Sequence, residues 1–110
     1  MNPSKNRQRG KRTEKAIAKR IGGKRIGILG KSDVEHACFS FEVKSRKKFV
    51  AEKWMLQAER NCEEGKTPAV IVHILGLQHK NDLVIIRLKD FEDFLGKIKM
   101  GGLICKQLEK

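Results

Sequence analysis

Aromatic side chains are scarce: 110 residues hold five Phe, one Trp and no Tyr. That counts against a stacking platform of the kind that holds unpaired bases. Long apolar runs are missing too, and nothing approaches the roughly 20 residues that cross a bilayer. The charged N-terminus has no apolar stretch behind it, so no secretory leader is expected. Cysteine is sparse. Cys38, Cys62 and Cys105 are odd in number and widely spaced, which reads as reduced thiols in a cytoplasmic setting rather than a disulfide framework. Neither CxxC nor HxxxH occurs, which argues against a structural zinc site.

Positive charge is what the chain has in excess. Lys and Arg number 25 against 13 acids, a net +12. Residues 1–25 carry ten of these cations against the single acid Glu14, and the other 85 residues contribute only +3. A basic end of this kind is the footprint of a polyanion binder. Nucleic acid fits better than a membrane surface, because the segment lacks an aromatic and leucine face.

The length suits one core. Residues 1–12, interrupted by Pro3 and Gly10, read as a basic flexible arm ahead of one domain spanning 13–110. Thr13 is expected to cap a helix over 14–21, with Ala16, Ile17 and Ile21 inward and Gly22-Gly23 as its stop. Glu14 then falls in the first turn, where the helix dipole favours an acid. Arg25 to Leu29 reads as a first strand, ended by Gly30-Lys31. Val50, Trp54, Ala58 and Cys62 recur every fourth residue, with Ala51 and Met55 beside them, predicting a helix over 50–64. Gln57 lies at the edge of that stripe.

Ala69 to Leu75 is apolar on both faces and predicts a central strand covered on both sides. Trp54 and His73 read as core residues. Leu83 to Leu88 makes another strand, and Asp90 is expected to cap a helix whose Phe91, Phe94, Leu95 and Ile98 form a stripe. Leu103 to Lys110 fits a strand, a helical turn or a dimer contact equally. The order is helix, three strands, helix, strand, strand, helix. It implies an α/β fold with a central mixed sheet flanked by helices.

The stretch from Asp33 to Ser45 organises the rest. Phe39, Phe41 and Val43 alternate with Cys38, Ser40, Glu42 and Lys44, so one face is apolar and the other carries an acid and a lysine. A hairpin with an even loop near Ala37-Cys38 would set Asp33 opposite Glu42. Two neighbouring carboxylates repel unless a cation lies between them. A divalent ion with oxygen ligands answers that need. Ser45-Arg46-Lys47-Lys48 follows as a basic turn, either solvated or holding a phosphate.

Asp33, eight residues, Glu42, one residue, Lys44 resembles the D-x(n)-E-x-K signature of the PD-(D/E)XK nuclease superfamily. Its nearest likeness there is to archaeal and phage-type Holliday-junction resolvases, over roughly Gly10 to Val72. Gly10-Lys11-Arg12-Thr13-Glu14 is similar to their basic approach to a helix glutamate. Arg25 with Gly30-Lys31-Ser32-Asp33-Val34 resembles their lead into the aspartate, although Ser32 stands where they usually have proline. Phe41-Glu42-Val43-Lys44-Ser45 is similar to their E-V-K-S strand, Gln57 matches their helix glutamine, and Pro68-Ala69-Val70 resembles the entry to their next strand.

The resemblance implies a restriction-endonuclease-like αβββαβ core and hydrolysis of DNA phosphodiester bonds with Mg²⁺ (or Mn²⁺). Asp33, Glu42 and the Val43 carbonyl would bind the metal, with Glu14 as an outer or second-metal ligand. Lys44 would act on the attacking water or the phosphate, and Gln57 would hold a neighbouring group. Arg7, Arg9, Lys11, Arg12, Arg25, Lys31, Ser32, Ser45, Arg46, Lys47 and Lys48 would contact DNA. A four-way junction needs two symmetric nicks, hence a homodimer, in a prokaryotic, archaeal or phage setting. The alternatives are another nuclease of this superfamily (nicking, repair or restriction-like) and a non-catalytic small basic nucleic-acid-binding protein.

Overall fold

One helix occupies the place of both the expected arm and the short helix behind it. In the computed structural model, which describes residues 3–28 and 33–100, α1 runs unbroken over Pro3–Ile21. The expectation of a flexible arm over 1–12 is therefore corrected for the described part of it. Pro3 opens the helix, where its missing N–H leaves no bond unmade. Arg, Lys and Gln are strong helix formers, and the single Gly10 costs only about 1 kcal/mol. Thr13 is consequently not a cap. It lies inside α1, where its Oγ1 donates to the Arg9 carbonyl at 3.0 Å.

Gly22, at φ +69°, ends α1. The Gly23 N–H then bonds the Ala18 carbonyl at 2.8 Å, the pairing of a left-handed helix stop. Gly23 is required for a second reason. A Cβ there would meet the Glu35 carbonyl oxygen at 2.6 Å and the Val34 Cγ1 at 2.9 Å. The chain passes this close to the next strands because α1 packs on them.

Those strands are β1 (Lys24–Arg25), β2 (Val34–Glu35) and β3 (Ser40–Phe41), an antiparallel sheet in the order β1-β2-β3. Strand β1 is shorter than expected because Gly27 turns to φ +54°, which leaves the extended path. Ala18, Ile21 and Val34 form the core of this unit, and Ile17, Phe41 and Val43 pack against it. Ala18 thus occupies the inward position expected of Ala16, which is exposed.

The chain divides after Lys47 into two compact units. The second begins with α2 (Ala51–Asn61), followed by β4 (Val70–Val72), a 3₁₀ turn (His79–Asn81), β5 (Leu83–Ile85) and α3 (Leu88–Met100). Helix α2 buries Ala51 and Met55, while Trp54 is 41% exposed. The inward stripe is rotated by one residue from the expected Val50–Trp54–Ala58 line, and Trp54 is not core. Ala51 has a side chain short enough to let the helix approach the strand.

Strand β4 pairs antiparallel with β5, Val70 opposite Ile85, Ile71 opposite Val84 and Val72 opposite Leu83. The fold is α/β as expected. Among the described residues the expected central mixed sheet is replaced by two small antiparallel sheets. Ile71 and Val84 are 69% and 67% exposed, so β4 is covered on one face rather than two. In α3, Asp90 lies inside the first turn rather than capping it, and Leu95 is buried.

Arg87 ties β5 to α2. Its guanidinium reaches both Glu52 oxygens at 2.7 and 3.0 Å and both Glu59 oxygens at 2.9 and 3.4 Å. These bonds hold both carboxyls below the usual glutamate range and raise the guanidinium further.

Among the described residues Cys62 is a free cysteine. Cys105, with the whole segment 103–110 expected to hold a strand, a turn or a dimer contact, lies outside the described residues. No helix among the described residues is long and apolar enough to cross a membrane.

Candidate functional site

Four residues, His36 to Phe39, separate β2 from β3. The even count preserves parity across the hairpin. Val34 lies opposite Phe41 and Glu35 opposite Ser40. The loop is closed by His36, whose N–H donates to the Phe39 carbonyl at 3.0 Å while its Nδ1 accepts from the Cys38 N–H at 3.0 Å. The ladder ends at the pairing of Val34 with Phe41, and Asp33, the residue before it, adjoins the Phe41–Val43 segment.

Two bonds hold Asp33 there. Its N–H donates to the Phe41 carbonyl at 2.9 Å, and its Oδ2 accepts from the Val43 N–H at 2.7 Å. The carboxylate therefore lies against the peptide that joins Glu42 to Val43. Phe41 and Val43 face the core, whereas Glu42 and Lys44 are exposed. The alternation read from the sequence is thus present, although only Ser40–Phe41 is laddered as strand. No ion pair joins Glu42 to Lys44 among the described residues.

Glu14 has a different partner from the one its position in sequence implied. It sits deep inside α1, so the first-turn dipole account is corrected. Its Oε2 accepts from Arg25 Nε at 2.7 Å, with both side chains largely covered. This pair fastens α1 to β1. Glu14, Asp33 and Glu42 do not gather into one cluster of carboxylates within 4.8 Å.

Beside Lys44 a groove of about 700 Å³ is lined by Arg9, Gly10, Val43, Lys44, Ser45, Arg46 and Lys47. Helix α1 supplies one wall and the segment after β3 the other. Arg46 Nη1 donates to the Ser45 carbonyl at 2.9 Å. Of the remaining expected DNA contacts, Arg7, Lys11, Arg12 and Lys48 are exposed, and Arg25 is engaged by Glu14. Lys31 and Ser32 lie outside the described residues. Gln57 is exposed on α2, in the second unit.

A second constellation had no signal in the spacing of the chain. His73, read as core, is 34% exposed and places Nδ1 at 2.7 Å from Asp82 Oδ1. His79 Nδ1 lies 3.1 Å from Asp82 Oδ2. Five and two residues separate these side chains, a pattern that means nothing until a hairpin folds it. Compared with models of known families, with curated proteins and with solved structures, the chain finds no significant match.

Proposed function

We propose that this chain is a metal-dependent DNA endonuclease of the PD-(D/E)XK kind, built on a restriction-endonuclease-like core and acting on branched DNA such as four-way junctions. One observation supports the reading: the Asp33 carboxylate accepts from the Val43 N–H at 2.7 Å, against the peptide between Glu42 and Val43, with Lys44 the next residue.

The donor chemistry fits a small hard cation. Asp33 and Glu42 offer only oxygen, one or two carboxylates suffice for Mg²⁺, and water fills the other positions. Asp33, Glu42 and the Val43 carbonyl would hold Mg²⁺ or Mn²⁺. Bound there, the ion supplies charge relief at the scissile phosphate and acidifies a water ligand. The Val43 N–H bond fixes the Asp33 rotamer before any ligand arrives, so little ordering cost remains on binding. Lys44, exposed on the side of Glu42, would orient or deprotonate the attacking water, or offset phosphate charge. Arg9, Arg46 and Lys47 line the adjoining groove and would hold the backbone of the substrate. Contacts of that type give affinity with little base preference, which suits recognition of DNA shape.

Glu14 enters the proposal through Arg25, as the residue that secures α1 along the groove, with an outer-ligand role secondary. Gln57 belongs to the second unit, and the proposal is built without it. Paired nicks across a junction imply a homodimer.

The test is a substrate panel of four-way junction, flap, nicked duplex and plain duplex, with Mg²⁺ or EDTA. Cleavage of branched substrates that EDTA abolishes is expected. Binding of every substrate with no cleavage in Mg²⁺ or Mn²⁺ would leave a non-catalytic nucleic-acid binder.

A further inference from the structure

The connection between β4 and β5 carries chemistry that the nuclease reading does not use. Val72 pairs with Leu83, so His73 and Asp82 face each other at the mouth of this hairpin. The 3₁₀ turn brings His79 back over them, with the Asp82 N–H bonding the His79 carbonyl at 3.0 Å and the Asn81 N–H bonding the Gln78 carbonyl at 3.0 Å. The two imidazoles lie 4.4 Å apart between ring centres. One donor atom from each of His73, His79 and Asp82 lies within 4.8 Å of the others. The Asp82 side chain is only 13% exposed, whereas His79 is 85% exposed. The carboxylate therefore forms the floor of the cluster and His79 its rim.

We propose that His73, His79 and Asp82 form a binding site for a borderline divalent transition-metal ion, Zn²⁺ above all. Two imidazole nitrogens and one carboxylate oxygen are a recurrent ligand set for such ions. Mg²⁺ prefers oxygen alone, so this site and the Asp33–Glu42 patch would select different metals. His73 Nδ1 lies 2.7 Å from Asp82 Oδ1 and His79 Nδ1 3.1 Å from Oδ2, both closer than the roughly 3.3 Å edge of a tetrahedron with 2.0–2.1 Å bonds, so the side chains must separate and one carboxylate oxygen turn toward both rings. In the hydrogen-bonded form each Nδ1–H donates to Asp82. An ion bound at Nδ1 would require the imidazole proton on Nε2 instead. Three protein ligands leave a fourth position for water, on the side where His79 is exposed. The bound ion would cross-link the two ends of the β4–β5 connection.

Zn²⁺ titration of the chelator-treated full chain by calorimetry tests this, with Co²⁺ absorption as a second readout. One Zn²⁺ per chain is expected, with a Co²⁺ spectrum free of thiolate charge-transfer bands. His79→Ala, at a rim position that leaves the fold untouched, should weaken binding at least about tenfold, and Asp82→Asn should do the same. Cys62→Ser should change nothing. Zn²⁺ affinity unchanged in His79→Ala, binding lost in Cys62→Ser, or no binding at all would overturn the site and leave the cluster a hydrogen-bonded clasp. DNA cleavage enters none of these readouts, so the result is independent of the nuclease proposal.

Discussion

Residues 1–47 hold 14 Lys and Arg against 4 acids, whereas residues 48–101 hold 9 against 8. The second unit uses its charges on itself. Arg87 bonds Glu52 and Glu59, the two histidines bond Asp82, and Lys66 pairs with Glu63. The first unit leaves its cations without an equal number of acids. It also keeps Glu42 exposed and fixes Asp33 by a backbone N–H rather than a cation. Charges that serve a fold are matched inside it. An unmatched excess of cations, with Arg9, Lys44, Arg46 and Lys47 along one groove, is what the proposed polyanion would neutralise.

The largest expected effect breaks that contrast at its centre. Asp33→Asn keeps an acceptor for the Val43 N–H and removes only the negative charge. Cleavage of branched DNA should fall about a thousandfold or more, since a metal's stabilisation of the transition state is worth several kcal/mol. DNA affinity should hold, as read by a gel-shift titration. A loss of cleavage below tenfold would mean that Asp33 is structural.

Next in size is a difference in core quality. Val34 is fully buried and Ile71 is 69% exposed. Val34→Ala should lower stability by about 2 kcal/mol in urea unfolding, and Ile71→Ala by less than about 0.5 kcal/mol. Equal costs would show that β4 is covered in solution. The third effect concerns salt. Arg46→Ala and Lys47→Ala should each reduce the slope of log affinity against log salt by about 0.9 per phosphate lost. Lys53→Ala in α2 should leave that slope alone.

The smallest effect sharpens the other side. Hydrogen bonds from Arg87 lower the Glu52 and Glu59 pKa values in the folded protein. A folded value below the unfolded one means that stability is present above about pH 4.5 and is lost as pH falls through the depressed values. Arg87→Met should therefore destabilise the chain near neutral pH. Its deficit relative to the parent should shrink on acidification, in urea midpoints measured from about pH 6 to pH 3. The pairs are exposed and screened by solvent, so the change is modest. A deficit that stays constant with pH would assign the effect to lost packing of the Arg87 stem.

Much of the first unit was legible because its signals are local. Alternation at Phe41, Glu42, Val43 and Lys44 and an even loop suffice to predict which side chains share a face. The order of elements follows from periodicity and from stops such as Gly22-Gly23. The basic segment was misread because composition alone weighs charge against burial. Composition ignores that Pro3 stands where a helix can start and that Gly10 is one weak link among strong helix formers. In α2 the phase slipped by one residue, since Val50–Trp54–Ala58 and Ala51–Met55 are neighbouring stripes and apolarity does not choose between them.

The chain by itself determined the sites of charge, the sequence of helices and strands, and the alternation from Phe41 to Lys44. Each of these depends on residues a few positions apart, where a period of two or of about 3.6 acts directly. Tertiary structure alone decided that Glu14 meets Arg25, that Arg87 clasps α2, and that His73, His79 and Asp82 converge. Those meetings depend on how far a turn brings the backbone back and which stripe packs inward, and both are set by contacts between distant segments.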